Sequence, residues 1–138
     1  MSAPSFTHAA LHVPDIDEAV AFFADYCQLH EVHSRGQGKQ RVVWLAERGR
    51  EKVLVFVLIP GGSYDAQPEG NFGHLGFALD SKQAVDDVAA KARVEGRLAW
   101  EPRQADFPVG YYCAVRGPDG RAVEFSFGQP LGPGSPDL

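Results

Sequence analysis

The chain has 138 residues, 44% of them apolar and 22% charged, which fits one globular domain or two small fused modules and excludes a disordered or collagen-like chain. A formal net charge of −5, with no dense basic cluster, argues against a nucleic-acid partner. The longest apolar run, Val53 to Ile59, is far short of the roughly 20 residues that span a bilayer, so no membrane partner is expected.

No Lys or Arg precedes Arg35, so the basic n-region of a secretory signal is missing and a cytoplasmic location is expected. Phe6-Thr7-His8 opens a short apolar strand, Ala9 to Val13. Asp15, with Glu18 three residues on, has the pattern of a capping box, and Ile16, Val20, Phe23 and Cys27 then form one apolar stripe at helical spacing. Strands are predicted over Glu31 to Ser34, Arg41 to Glu47 and Val53 to Ile59, with turns at Gln37-Gly38 and Arg48-Gly49. Lys and Arg thicken between Arg35 and Lys52, either as a solvated hairpin or as a surface that meets an anionic substrate. Pro60 to Asn71, rich in Gly, Pro and polar residues, reads as a linker.

The pattern then begins again. Phe72-Gly73-His74 opens a second apolar strand, Leu75 to Leu79, and Asp80 with Gln83 offers a second capping box. Val85, Val88, Ala89 and Ala92 give the helix stripe, and Gly96 is the expected C′ stop. Strands follow over Arg97 to Glu101, Tyr111 to Val115 and Ala122 to Phe127, with Gly117-Pro118-Asp119-Gly120 as a tight turn between the last two. The chain therefore reads βαβββ twice, and the Gly- and Pro-rich tail after Gly128 is expected to be extended or flexible. Cys27 and Cys113 form no CxxC pair and have no zinc-site spacing. They read as two reduced, unreactive thiols.

Side chains alternate across a strand. On the first strand His8, Ala10 and His12 share a face, and Ala9, Leu11 and Val13 take the apolar, helix-covered side. His74, Gly76 and Ala78 oppose Leu75, Phe77 and Leu79 in the same way, and Ala122, Glu124 and Ser126 oppose Val123, Phe125 and Phe127. Each non-helix face thus carries small residues around ionisable ones, which leaves room for a cavity. Singly, none of these groups points to a metal. Both His8 and His74 hold the same point of the repeat, however, and Glu124 is the only acid in its strand. Two imidazoles and a carboxylate form a facial triad that suits Fe(II), and Mn²⁺, Ni²⁺ or Zn²⁺ also accept such ligands.

Around this set, His12 is either a general base or anion contact, or a buried histidine bonded to a neighbouring strand. Trp44, Trp100, Phe107 and Tyr112 form either an aromatic wall for a planar ligand or core and dimer contacts. Arg103 either pairs a substrate carboxylate or is solvated. The loop Gln104 to Gly110 is a candidate lid with Gly110 as one hinge.

These residues make the chain similar to the vicinal oxygen chelate superfamily, which contains glyoxalase I, extradiol dioxygenases, and fosfomycin- and bleomycin-resistance proteins. The likeness lies in His8-Ala-Ala-Leu-His-Val-Pro-Asp-Ile-Asp-Glu-Ala-Val-Ala-Phe-Phe23, in Gly73-His-Leu-Gly-Phe-Ala-Leu-Asp80 and in Gly117-Pro-Asp-Gly-Arg-Ala-Val-Glu124, and it covers residues 5–128. It implies an α+β fold, one domain over 1–138 in which two βαβββ modules, 5–59 and 72–128, form curved mixed sheets around a cavity. Residues 60–71 are then the linker and 129–138 a flexible tail. It also implies His8, His74 and Glu124 as metal ligands, and His12 and Tyr112 as proton-handling groups. Trp44, Trp100, Arg103 and Phe107 would bind substrate. The glyoxalase I-type fourth ligand would fall at Val55 or Phe56, and neither binds metal. The cavity His of ring-cleaving relatives has no match in Arg41 to Glu47, and their Tyr position is Ala114, two residues after Tyr112. Gly117 replaces the usual Asp of the closing hairpin, and Cys27-Gln28 replaces Leu-Gly after the first helix. The implied function is a metal-dependent, extradiol-dioxygenase-like enzyme acting on a vicinal-oxygen substrate, with Fe(II) favoured. A metal-free small-molecule binder and a glyoxalase-type isomerase or lyase are the alternatives. The exposed edges of short open sheets favour a homodimer.

Overall fold

The computed structural model describes residues 2–132 and 135, and the chain divides between Ala66 and Gln67 into two units. Expected tail residues 133–134 and 136–138 lie outside the described part.

The first unit contains β1 (His8–Val13), α1 (Ile16–Cys27), β2 (His30–Arg35), a 3-10 turn (Gly38–Gln40), β3 (Val42–Ala46) and β4 (Val55–Pro60). Its sheet has the order β1-β4-β3-β2. β1 runs parallel to β4 and the other pairs are antiparallel. The alternation in β1 emerges as expected, with Val13 fully buried on the helix side and His8, Ala10 and His12 exposed on the other. The Asp15 side chain accepts the Glu18 N–H at 3.0 Å and starts α1. The buried face of α1 is Ile16, Ala19, Phe22, Phe23 and Tyr26, set over Val43, Leu45, Phe56 and Leu58. Val20 and Cys27, expected in the stripe, are half-buried at its flank. The aromatic pairs Phe22–Tyr26 and Phe23–Phe56, with ring centroids 4.9 and 6.3 Å apart, pull the helix round toward Phe22. Each such side chain contributes roughly 1.5–3 kcal/mol by burial.

The second unit contains β5 (His74–Ala78), α2 (Lys82–Val94), β6 (Leu98–Gln104), β7 (Tyr111–Arg116) and β8 (Ala122–Phe127). The sheet order β5-β8-β7-β6 repeats the first, again with a parallel first pair. The N-cap is Ser81, which accepts the Ala84 N–H at 3.0 Å. It replaces the expected Asp80, because both residue types cap and the chain begins the helix one residue later. Gly96 takes the expected C′ position with φ +71°. The small buried residues Val85, Ala89 and Ala92 set α2 over β6, β7 and β8. The turn after β7 closes through Gly117 N–H to Arg121 O at 2.7 Å, with Asp119 accepting the Arg121 N–H at 3.1 Å. β6 runs on to Gln104, past the expected end at Glu101, and its register shifts between Trp100 and Arg103.

Candidate functional site

Among the described residues only two polar ones are buried, Glu124 and Ser126, and they share one face of β8. The strand register lays out what surrounds them. One row across the sheet is Trp100, Ala114, Glu124 and Gly76, and the next is Arg103, Tyr112, Ser126 and Ala78. His74 lies opposite Ala122, two residues before Gly76 and on the same face of β5. Small residues at Ala114, Gly76 and Ala78 keep the carboxylate from being walled in.

His74 Nε2 stands 3.0 Å from Glu124 Oε2, and His74 Nδ1 is 2.7 Å from the Phe72 carbonyl oxygen. A carbonyl only accepts, so Nδ1 carries a proton. In a neutral imidazole Nε2 then presents a lone pair to a carboxylate oxygen. Two acceptors at that distance require a proton or a cation between them. A proton on Nε2 meets that need as an ion pair; an imidazole and a carboxylate are also ligands that divalent metals accept, and the Nδ1 bond to a backbone carbonyl is the support that metal-binding histidines ordinarily have.

The approach to His74 is braced by Gln67, a residue that no sequence motif marks. Its Oε1 accepts the Ala122 N–H at 2.9 Å, and its Nε2 donates to Gly73 O at 2.8 Å. One amide thus ties the start of β8 to the residue before His74. Asn71 Oδ1 accepts the Gly73 N–H at 3.0 Å.

In the first unit His8 holds the matching place. It pairs with Val55 as His74 pairs with Ala122, and Thr7 Oγ1 is 2.9 Å from its Nδ1. The residue opposite Ala10, two positions on, is Val57, as Glu124 is opposite Gly76. The register therefore moves the fourth-ligand position from Val55 or Phe56 to Val57. Phe56 lies on the opposite, buried face, and Val55 sits one rung early. No group of three or more His, Cys, Asp or Glu side chains that could hold a metal gathers among the described residues.

The aromatic residues separate. Trp100 stands edge-on to His74 at 5.5 Å and to Tyr112 at 6.4 Å, and exposed Phe72, which strand alternation does not single out, lies 6.2 Å from Trp100. Trp44 belongs to the first unit, where its ring is 4.8 Å from His33. Phe107 is exposed on the turn after β6 and touches no other ring among the described residues. Arg103 is exposed, shares the Tyr112 row, and forms no hydrogen bond or ion pair among the described residues. The His12 ring is exposed beside Gly61 and Gly62, and a Cβ on Gly62 would overlap His12 itself. That exposure removes the reading of His12 as a buried structural histidine.

Gly110 lies at the closed end of the candidate lid loop. It is buried at φ +80°, and a Cβ there would run into the Phe127 carbonyl. Bonds from Ala105 N–H to Gly110 O and from Val109 N–H to Asp106 O, both 2.9 Å, close the loop. Of the six basic residues from Arg35 to Lys52, three are paired with carboxylates. Lys39 bridges Asp15 and Asp17 at 2.9 and 2.8 Å, Arg41 meets Asp17 at 2.8 Å, and Arg50 faces Glu47 at 3.3 Å. Burial pushes the Cys113 thiol up to about 12, and burial raises the Cys27 thiol further. Neither is a thiolate near neutral pH.

The profile of the Glyoxalase/Bleomycin resistance protein/Dioxygenase superfamily matches residues 5–125, and the chain belongs to that superfamily. An uncharacterized protein of Pseudomonas aeruginosa, PA2024, is 50% identical over 137 residues, 99% of this chain and 97% of its own. The fosfomycin resistance protein FosX of Listeria monocytogenes shares the fold with a TM-score of 0.70 at 17% identity, covering 94% of this chain and 96% of its own. A variant of FosX solved with Mn(II) and 1S,2S-dihydroxypropylphosphonic acid gives 0.66 at 20%, covering 91% and 93%. Lactoylglutathione lyase of Agrobacterium tumefaciens gives 0.62 at 23%, covering 93% and 96%. No helix among the described residues is long and apolar enough to cross a membrane.

Proposed function

We propose that the protein is a divalent-metal-dependent enzyme acting on a small substrate through two vicinal oxygens, with extradiol-type ring cleavage as its specific reaction. His74 and Glu124 would hold the metal, with His8 of the first unit as third ligand. The observation that carries this reading is the approach of His74 Nε2 to Glu124 Oε2 at 3.0 Å while Nδ1 is committed to a backbone carbonyl. The matching place of His8 in its own sheet and the Mn(II) present with FosX support it.

A bound cation supplies Lewis acidity toward the two oxygens, and Fe(II) adds redox capacity. The chain's own groups supply the rest. Phe72 and Trp100 offer flat surfaces beside His74, suited to a planar ring. Arg103, without a partner among the described residues, would offer its guanidinium to a substrate carboxylate. The Tyr112 hydroxyl, one row from Glu124, and the exposed His12 imidazole are the groups that donate or accept protons.

The test is anaerobic reconstitution with Fe(II), then with Mn(II), and metal analysis after desalting. The expected result is about one metal per chain for the wild type and almost none for Glu124→Ala, as a three-ligand site requires. Oxygen uptake on catechols then follows. A wild type that retains no divalent metal overturns the proposal in favour of a metal-free binder of aromatic small molecules. A metal-loaded protein that consumes no oxygen with any catechol removes the ring-cleavage reaction and leaves isomerase or lyase chemistry.

A further inference from the structure

The Glu124 carboxylate has two oxygens, and the pairing with His74 uses one. The second, Oε1, accepts a hydrogen bond at 3.2 Å from Gln129 Nε2. Gln129 belongs to the Pro- and Gly-rich segment after β8, which composition alone marks as a loose tail. We propose that Gln129 is a positioning residue for Glu124, holding the carboxylate so that a single oxygen is offered on the His74 side. The functional consequence rests on the metal reading above.

The backbone is built to bring this amide back. β8 ends at Phe127, and Gly128 follows with φ +95°, a conformation that glycine adopts freely. Gly110 lies flat against the Phe127–Gly128 backbone, with no room there for a side chain. Gln129 and Pro130 are half-buried. Gly132 then passes beside Ala78, where a Cβ on it would stand 3.8 Å from the Ala78 methyl. The segment therefore crosses from the end of β8 to β5 on the side that carries His74 and Gly76.

The choice of amide has a chemical reason. A buried carboxylate oxygen without a donor is costly, so Oε1 needs a partner. A Lys at that place would neutralise the ligand charge, and a Glu would repel it. A carboxamide N–H donates without cancelling the charge. It also opposes partial rotation about the Cγ–Cδ bond, which would swing the other oxygen away from His74. Partners of this kind, one bond removed from a metal, commonly change its affinity 10–100-fold when lost.

The experiment compares wild type, Gln129→Met, which keeps the length and removes the donor, and Leu131→Ala, which alters an exposed residue of the same segment. Mn(II) binding is followed by electron paramagnetic resonance, and thermal melts are recorded on the metal-free proteins. The expected result is Mn(II) affinity weaker by about 10–100-fold in Gln129→Met, with the Leu131→Ala affinity unchanged and a Gln129→Met melt that stays cooperative but falls slightly, as the loss of a donor to a buried oxygen requires. The visible spectrum of the Co(II)-loaded protein should also shift in Gln129→Met. Independently of metal, the Gln129 side-chain amide resonance should move in Glu124→Ala. Equal Mn(II) affinity in wild type and Gln129→Met overturns the positioning role while leaving the metal site standing. An amide resonance unmoved by Glu124→Ala overturns the contact itself. A wild type that binds no Mn(II) defeats both the metal reading and the role of Gln129 within it.

Discussion

Gln28 carries the only positive φ of a non-glycine residue among the described residues, 55°, where α1 ends and its N–H reaches Ala24 O at 3.2 Å. A left-handed backbone costs an L residue roughly 1 kcal/mol that glycine avoids. Gln28→Gly is therefore expected to raise stability by about 0.5–1 kcal/mol in urea unfolding. A loss of stability would mean that the Gln28 side chain holds something beyond its own backbone. Alternation within each strand puts His74 and Glu124 on the face away from the helix, because period two is a property of one strand alone, and the repeat and the lone acid of its strand then mark them as candidates. Gln129 and Gln67 leave no such trace, for a physical reason. Each works through an amide that reaches a residue in another element, and no local pattern encodes such a contact.

At the scale of elements, the 3-10 turn before β3 is tied to the start of α1 by Lys39 and Arg41 on Asp15 and Asp17. The Glu18 N–H and then Lys39 hold Asp15 below the ordinary carboxylate value, and Lys39 followed by Arg41 does the same for Asp17. A carboxylate whose folded pKa is lowered contributes stability that is full above its unfolded value, 3.8 here. That stability is lost as pH falls through the folded value. Lys39→Met should therefore unfold at lower urea than wild type at pH 7, with the gap closing as pH drops below that range. An equal gap at acid and neutral pH would show that the turn is held by something other than these charges. Element type and order followed from sequence because caps, turns and periodicity are local. The exceptions are also local in cause. Ser81 and Asp80 compete as caps of similar strength, and the register shifts in β2 and β6 leave no mark on alternation until a partner strand is present.

At the scale of the molecule, the two units repeat one topology and are joined by a segment without helix or strand from Gly61 to Gly73. Within it Tyr64 is 56% exposed, whereas the residues around Phe72 are tied down by Gln67 and Asn71. Brief chymotrypsin treatment should therefore cut first after Tyr64, giving fragments that mass spectrometry assigns to residues 1–64 and 65–138. A first cut inside a strand would contradict this division. The fold itself does not choose the reaction, since FosX and lactoylglutathione lyase share it with this chain. The choice lies in side chains and not in the shared topology.

The parallel pairing of β1 with β4 also sets an order on biosynthesis. His8–Val13 is made before the other strands of its sheet, yet its strand partner among the described residues, Val55–Pro60, is the last strand of that unit to be made. Until then the hairpin of β2 and β3 and the helix α1 are the parts able to form, and the nascent first strand waits unpaired. Once Pro60 has emerged, every strand of that sheet exists and none of its pairings needs the second half. The amino-terminal module can thus close before the carboxy-terminal one has been translated.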